Sequence, residues 1–136
     1  MAALLLDTCA VLWIANGEDV SQPCRQAVDE AAQNDEILIS PITAWEIGTL
    51  VRKGRIALSM APDAWFDAAL ALPGMRLAPM PPRTLIASAF LPGTPPTDPA
   101  DRIIAATARA EGLVLVTRDK WLLSYGEEGH VRVLPC

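Results

Sequence analysis

The sequence predicts an α/β protein: a three-layer α/β/α sandwich around a central, mainly parallel sheet of about five strands. Two observations predict it. Short apolar runs recur along the 136 residues and alternate with longer stretches of helical periodicity. Runs such as LVLVT (113–117) are apolar on both faces, as strands covered by helices on either side must be. Joining parallel strands through helices takes right-handed crossovers, which place helices on both faces of the sheet.

The elements follow in order. ALLL (3–6) is the first strand and stops at Asp7; VSQPCRQAVDEAAQ (20–33) is helical. ILIS (37–40) is the second strand, followed by the helical stretches ITAWEIGTLVRKG (42–54) and APDAWFDAALAL (61–72). MRLA (75–78) is the third strand and PRTLIASAF (82–90) the next helix. LPGTPPTDPAD (91–101) is too rich in proline for a regular element and reads as a long loop, a candidate rim for a site. PADRIIAATARAEG (99–112) is a helix, and LVLVT (113–117) and VRVL (131–134) are the last two strands. With no repeat and no linker, residues 1–136 read as one domain.

Composition excludes several classes. Half the residues are hydrophobic (51%) and 20% are charged, which supports a packed core rather than disorder. The opening MAALLLDT has no basic region and is interrupted at Asp7, so neither a signal peptide nor a membrane span is expected, and a cytoplasmic protein is. Three cysteines, Cys9, Cys24 and Cys136, with no C-x-x-C spacing argue against a disulfide framework or a zinc site. One histidine, His130, gives a Ser-His-Asp or Cys-His system little to build on. The net charge of −5 opposes nucleic-acid binding only if the acids are dispersed; four of them clustered on a metal would bring it close to zero.

Four acids stand in telling places. Asp7 ends the first strand and Asp119 follows LVLVT, so both belong at the carboxyl edge of the sheet, where open α/β sheets bind ligands. Helix capping is the alternative for each. Thr43 to Glu46 fits a capping box, but Ser40-Pro41 is the better helix start, which leaves Glu46 inside the helix between Ile42 and Leu50 on one face. In DPADRIIAATARAEG, Asp98 before Pro99 is the expected N-cap. Asp101 shares the apolar face of Ile104, Ala105 and Ala108, whereas Arg102 and Arg109 mark the wetter stripe. Carboxylates brought together repel and take up protons unless a hard divalent cation neutralises them. Mg²⁺ or Mn²⁺ held this way can activate water against a phosphodiester.

The segments LLLDTCAVLW, ISPITAWEIGTLVRKGRIAL and DPADRIIAATARAEGLVLVTRDK, in this order with a closing short strand, resemble a PIN-domain ribonuclease, in particular a toxin of the VapC type. The resemblance spans almost the whole chain. It implies that Asp7, Glu46, Asp101 and Asp119 are the catalytic and metal-binding acids, with Thr117 lining their pocket beside Asp98. It further implies endonucleolytic RNA cleavage with one or two Mg²⁺ or Mn²⁺ ions, a homodimer, and inhibition by a cognate antitoxin. Members of this group often carry His where this chain has Cys9, and His before the DP of the loop, where it has Pro-Pro-Thr; contacts near the pocket are therefore expected to differ.

Arg102, Arg118 and Lys120, beside the acids, are candidates for holding an RNA backbone. Arg52, Lys53 and Arg55 are candidates too, with helix-end charge compensation and a Gly54 cap as the alternative. Trp13, Trp45, Trp65 and Trp121 are expected to pack the core or a dimer face, Trp13 and Trp45 equally an antitoxin segment. The competing functions are a PIN-like module that binds RNA or protein without cleaving, and a housekeeping RNA-processing nuclease.

Overall fold

A computed structural model describes residues 2–136. Its order is β1 (Leu4–Leu6), α1 (Thr8–Ala15), α2 (Gln22–Gln33), β2 (Ile37–Ile39), α3 (Pro41–Arg52), α4 (Pro62–Leu70) and β3 (Met75–Leu77). It continues with α5 (Pro82–Ala89), α6 (Pro99–Glu111), β4 (Val114–Thr117), α7 (Lys120–Glu127) and β5 (Arg132–Pro135). The five strands are all parallel, in the spatial order β3-β2-β1-β4-β5. The chain builds outward from β1 on one side, returns, and builds outward on the other. The switch lies between β1 and β4, where Leu6 pairs with Val116, and a ligand crevice is expected outside their carboxyl ends.

Alternation along each strand separates the two cores. Leu4, Leu6, Ile37, Ile39 and Val116 face one layer with Val28 of α2, Ile47 of α3 and Trp65 of α4. Leu5, Leu38 and Leu115 face the other with Ile104 of α6 and Leu122 and Tyr125 of α7. This is why LLL, ILI and VLV carry no polar residue: both faces of the central strands are covered. The edge strands β3 and β5 are more exposed and carry Arg76 and Arg132, charges that discourage edge pairing. No helix among the described residues is long and apolar enough to cross a membrane.

The helices start on caps written in the sequence. Ser21, Ser40 and Asp98 accept from Cys24, Ile42 and Asp101 backbone N–H groups, each with proline in the first turn. Gly112, at φ +66°, ends α6 in the left-handed conformation that glycine adopts without strain. The helices α1 and α7 have no polar start signal beyond Asp7 and Asp119 themselves, so their limits emerge only from the structure. Of the tryptophans expected to pack the core or a dimer face, Trp65 is core, whereas Trp45 is 62% exposed and Trp121 64% exposed. Helix α3 buries Thr43 and Ile47 and α7 buries Leu122 and Tyr125, so the helical period turns both indoles outward.

Candidate metal centre

Asp7 follows β1 at the start of α1 and is only 5% exposed. Its Oδ1 accepts from the Ala10 amide at 2.8 Å, and its Oδ2 from the Thr117 hydroxyl at 2.5 Å. Capping and burial in a pocket are thus one arrangement rather than alternatives. Burial pushes the carboxyl pKa of Asp7 up and repulsion from Asp119 adds to it, against the two hydrogen bonds and the charge of Arg118. Asp119, at the end of β4, caps α7 by accepting from Leu122 at 3.0 Å, and its own amide donates to the Thr117 hydroxyl at 3.0 Å. Thr117, fully buried, therefore ties the two strand-end acids together through one oxygen.

Glu46 comes from the middle of α3. Ser40 caps that helix, so Glu46 has no capping role and turns to Thr8, whose hydroxyl donates to Oε1. The Thr8 hydroxyl also lies 3.1 Å from that of buried Thr43. A hydroxyl has one proton, and Thr8 spends it on Glu46, so Thr43 donates to Thr8. Sequence reasoning missed Thr8 and Thr43. The signal was present as hydroxyl residues directly after Asp7 and three before Glu46.

Asp98 caps α6 through the Asp101 amide at 3.0 Å. One turn in, Asp101 sits above the buried Ile104, Ala105 and Ala108. Burial first, then Asp98, Asp119, Glu46 and Asp7, push its pKa from an ordinary 3.8 to about 7. The preceding loop is pinned: Tyr125 Oη donates to the Pro92 carbonyl at 2.7 Å, and the Thr94 amide to Glu128 Oε1 at 2.8 Å. Between them Gly93 has φ +70°, and a Cβ there would meet Glu128 Oε1 at 2.4 Å.

Asp7, Glu46, Asp98, Asp101 and Asp119 line one cavity of about 390 Å³, with Pro96 and Thr97 of the loop on its rim and Trp121 on its wall. No lysine or arginine is among the lining residues. Thr117 stands behind the acids rather than in the lining. The thiol of Cys9, at the mouth, is pushed up to about 11 by burial and then by all four acids.

The proposed cationic contacts divide. Arg102 needs correction as a free phosphate contact. Its three guanidinium nitrogens donate to the carbonyls of Ser88 (2.8 Å), Pro96 (3.1 Å) and Ala89 (3.2 Å), fastening α5 and the loop to α6. Arg118 donates to the Asp19 carbonyl at 2.9 Å and lies 3.8 Å over the Trp13 ring, so part of its capacity is engaged. Lys120 is exposed beside Asp119. Arg52, Lys53 and Arg55 are exposed at the end of α3, outside the cavity lining.

The donor set fits a hard divalent cation. Several carboxylates with no neutralising base, three of them with raised pKa values, are what such an ion would relieve. The side chains do not close on one point: among the described residues no three His, Cys, Asp or Glu side chains are grouped to hold an ion. Asp101, whose carboxylate accepts no hydrogen bond among the described residues, is the side chain with most freedom to turn inward.

Three comparisons bear on this geometry. The family model described as PIN domain matches residues 4–128. The chain is 32% identical over 126 residues to Ribonuclease VapC22 of Mycobacterium tuberculosis, covering 92% of this chain and 93% of that protein. In fold it is similar to VapBC2 from Rickettsia felis, solved bound to a promoter DNA fragment (TM-score 0.70, 18% identity, 97% of each chain). It is similar also to DNA-bound VapBC from Salmonella typhimurium (TM-score 0.67, 20% identity, 99% and 98%). FitAcB from Neisseria gonorrhoeae shares the fold as well (TM-score 0.62, 23% identity, 96% of each chain).

Proposed function

The chain belongs to the PIN-domain family, and on that premise we propose that it is a divalent-metal-dependent endoribonuclease, the toxin of a toxin–antitoxin pair. The observation that carries this reading is the convergence of Asp7, Glu46, Asp101 and Asp119, from four separate segments, on one cavity without a basic side chain. The named ribonuclease relative supports RNA as the substrate. Mg²⁺ or Mn²⁺, one or two ions, when bound would supply a more acidic water and a countercharge for a leaving oxygen. The protein's own part is to hold oxygens in place. Thr117 fixes Asp7 and Asp119, Thr8 fixes Glu46, and the wall of α6 keeps Asp101 out of bulk water. Lys120 and Arg118, both exposed on either side of Asp119 in the sequence, are the cations this reading offers to the RNA backbone.

The same reading takes residues 1–136 as one domain working in the cytoplasm, as a homodimer held by a cognate antitoxin. The exposed Ile86 and Phe90 of the α5 region and Trp45 of α3 offer apolar surface for such contacts. The test is cleavage of RNA by purified protein in Mg²⁺ or Mn²⁺ and its loss in chelator. Cleavage that persists in chelator would sink the metal; no cleavage under any condition would favour a binding module. A small DNA-binding reading frame next to the gene would separate the toxin from a housekeeping nuclease.

Asp98 lines the cavity, yet its one hydrogen bond is a cap. Asp98→Ala is expected to cost about 1 kcal/mol, the usual loss of an N-cap, and Asp98→Ser to recover most of it. Cleavage by the folded fraction should stay within a few-fold for both variants. A loss as deep as that of Asp101→Asn, in a folded Asp98 variant, would make Asp98 a ligand.

A further inference from the structure

We propose that Trp121 is a positioning residue on which an unpaired RNA base stacks while its phosphodiester lies before the acids; this rests on the nuclease reading. Trp121 lines the acid cavity and is 64% exposed. It occupies the second position of α7, whose buried side is Leu122 and Tyr125, so the indole adds nothing to the core under that helix. The other apolar members of the wall, Leu50 and Pro96, offer no aromatic face, and Trp121 is the single aromatic side chain in the lining. Trp121 directly follows Arg118, Asp119 and Lys120, so two exposed cations just outside the cavity lining adjoin the one aromatic face within it. That is the combination of backbone attraction and flat stacking surface by which single-stranded nucleic acid is held.

The depth of the site selects an unpaired nucleotide. Asp7 is 5% exposed at the floor of the cavity, so a phosphodiester must enter a recess rather than lie across a surface. A base in a duplex is stacked and paired inside its own helix and cannot also meet the cavity wall. An extruded base gives up that stacking, and an exposed indole beside the recess restores it. Because every base has a π-face, this contact favours position over sequence.

The experiment is steady-state cleavage of a single-stranded oligoribonucleotide in Mn²⁺, with native protein, Trp121→Ala and Trp121→Phe. The substrate is also made with a single abasic residue at each position around the cleavage site. Trp121→Ala is expected to raise KM roughly ten- to hundredfold, more than it lowers kcat, with Trp121→Phe recovering most of the loss. At one position the abasic substrate should cost the native protein a similar factor and Trp121→Ala almost nothing further, because base and indole act as one pair. An unchanged KM in Trp121→Ala, or additive losses at every abasic position, overturns the proposal. An unchanged KM together with lost binding to a protein partner would assign the indole to a protein interface, overturning it too. If native protein cleaves no RNA, the nuclease reading fails and carries this one with it; if native protein cleaves and the cycle is additive, the stacking role alone fails.

Discussion

Asp101→Asn is expected to abolish RNA cleavage while leaving the fold intact. Its carboxylate accepts no hydrogen bond among the described residues, so the amide breaks no bond, and Ile104, Ala105 and Ala108 beneath it stay packed. What is lost is one charge of a four-acid set. If the set binds metal as a unit, losing any member removes most of the activation, roughly a thousandfold or about 4 kcal/mol of transition-state stabilisation. Glu46→Gln and Asp119→Asn should fall to a similar floor, and double variants should be little worse than singles. Initial rates in Mn²⁺, with circular dichroism to confirm folding, provide the check. Two of these single variants retaining near-native cleavage would dissolve the shared site.

The same substitution should make the metal-free protein more stable above the ordinary carboxylate range of pH. The folded pKa of Asp101, about 7, is raised above an ordinary 3.8. The favourable contribution is therefore fully present below pH 4 and is lost as pH rises through 7, because the folded state must then hold a charge the unfolded chain solvates freely. In chelator, native stability should fall between about pH 4 and pH 8 by on the order of 2 kcal/mol from this group, solvent screening at the cavity mouth included. Asp101→Asn should flatten that part of the profile. Divalent metal should reverse the loss in native protein, by roughly 2.7 kcal/mol at a hundred times its dissociation constant, and help Asp101→Asn less. Thermal unfolding across pH, in chelator and in Mn²⁺, measures all of this. A native profile that matches Asp101→Asn and does not respond to metal would reduce the acids to caps and surface charges. Asp7→Asn is the less clean variant. Both of its carboxylate oxygens already accept hydrogen bonds, and an amide nitrogen would face the Ala10 amide or the Thr117 hydroxyl.

Much of this protein was legible along the chain. The five strands, the all-apolar character of the central three, and the starts of α2, α3 and α6 follow from side-chain period and from Ser or Asp before proline, which act within a few residues. The placing of Asp7 and Asp119 at one sheet edge needed only the rule that parallel strands share a direction. Asp101 on the inward face of α6 followed from the helical repeat.

Other features depended on partners far away in sequence. Thr117 reaches Asp7 across 110 residues, and Thr8 reaches Glu46 across 38, because the order β3-β2-β1-β4-β5 sets β4 and the start of α3 against the end of β1. Arg102 looked like a free cation beside an acid until α5 and the loop brought it three carbonyls. The sequence leaves Trp45 and Trp121 open between core and an exposed contact face, and only the packing of α3 and α7 shows which side of each helix meets the sheet. Period, caps and turns are written locally, so the sequence by itself determined the strands, the helices other than α1 and α7, the layers and the sheet edge. Which acids share a cavity, which threonines hold them and which cations stay free depend on strand order and helix packing, and these only the tertiary structure decided.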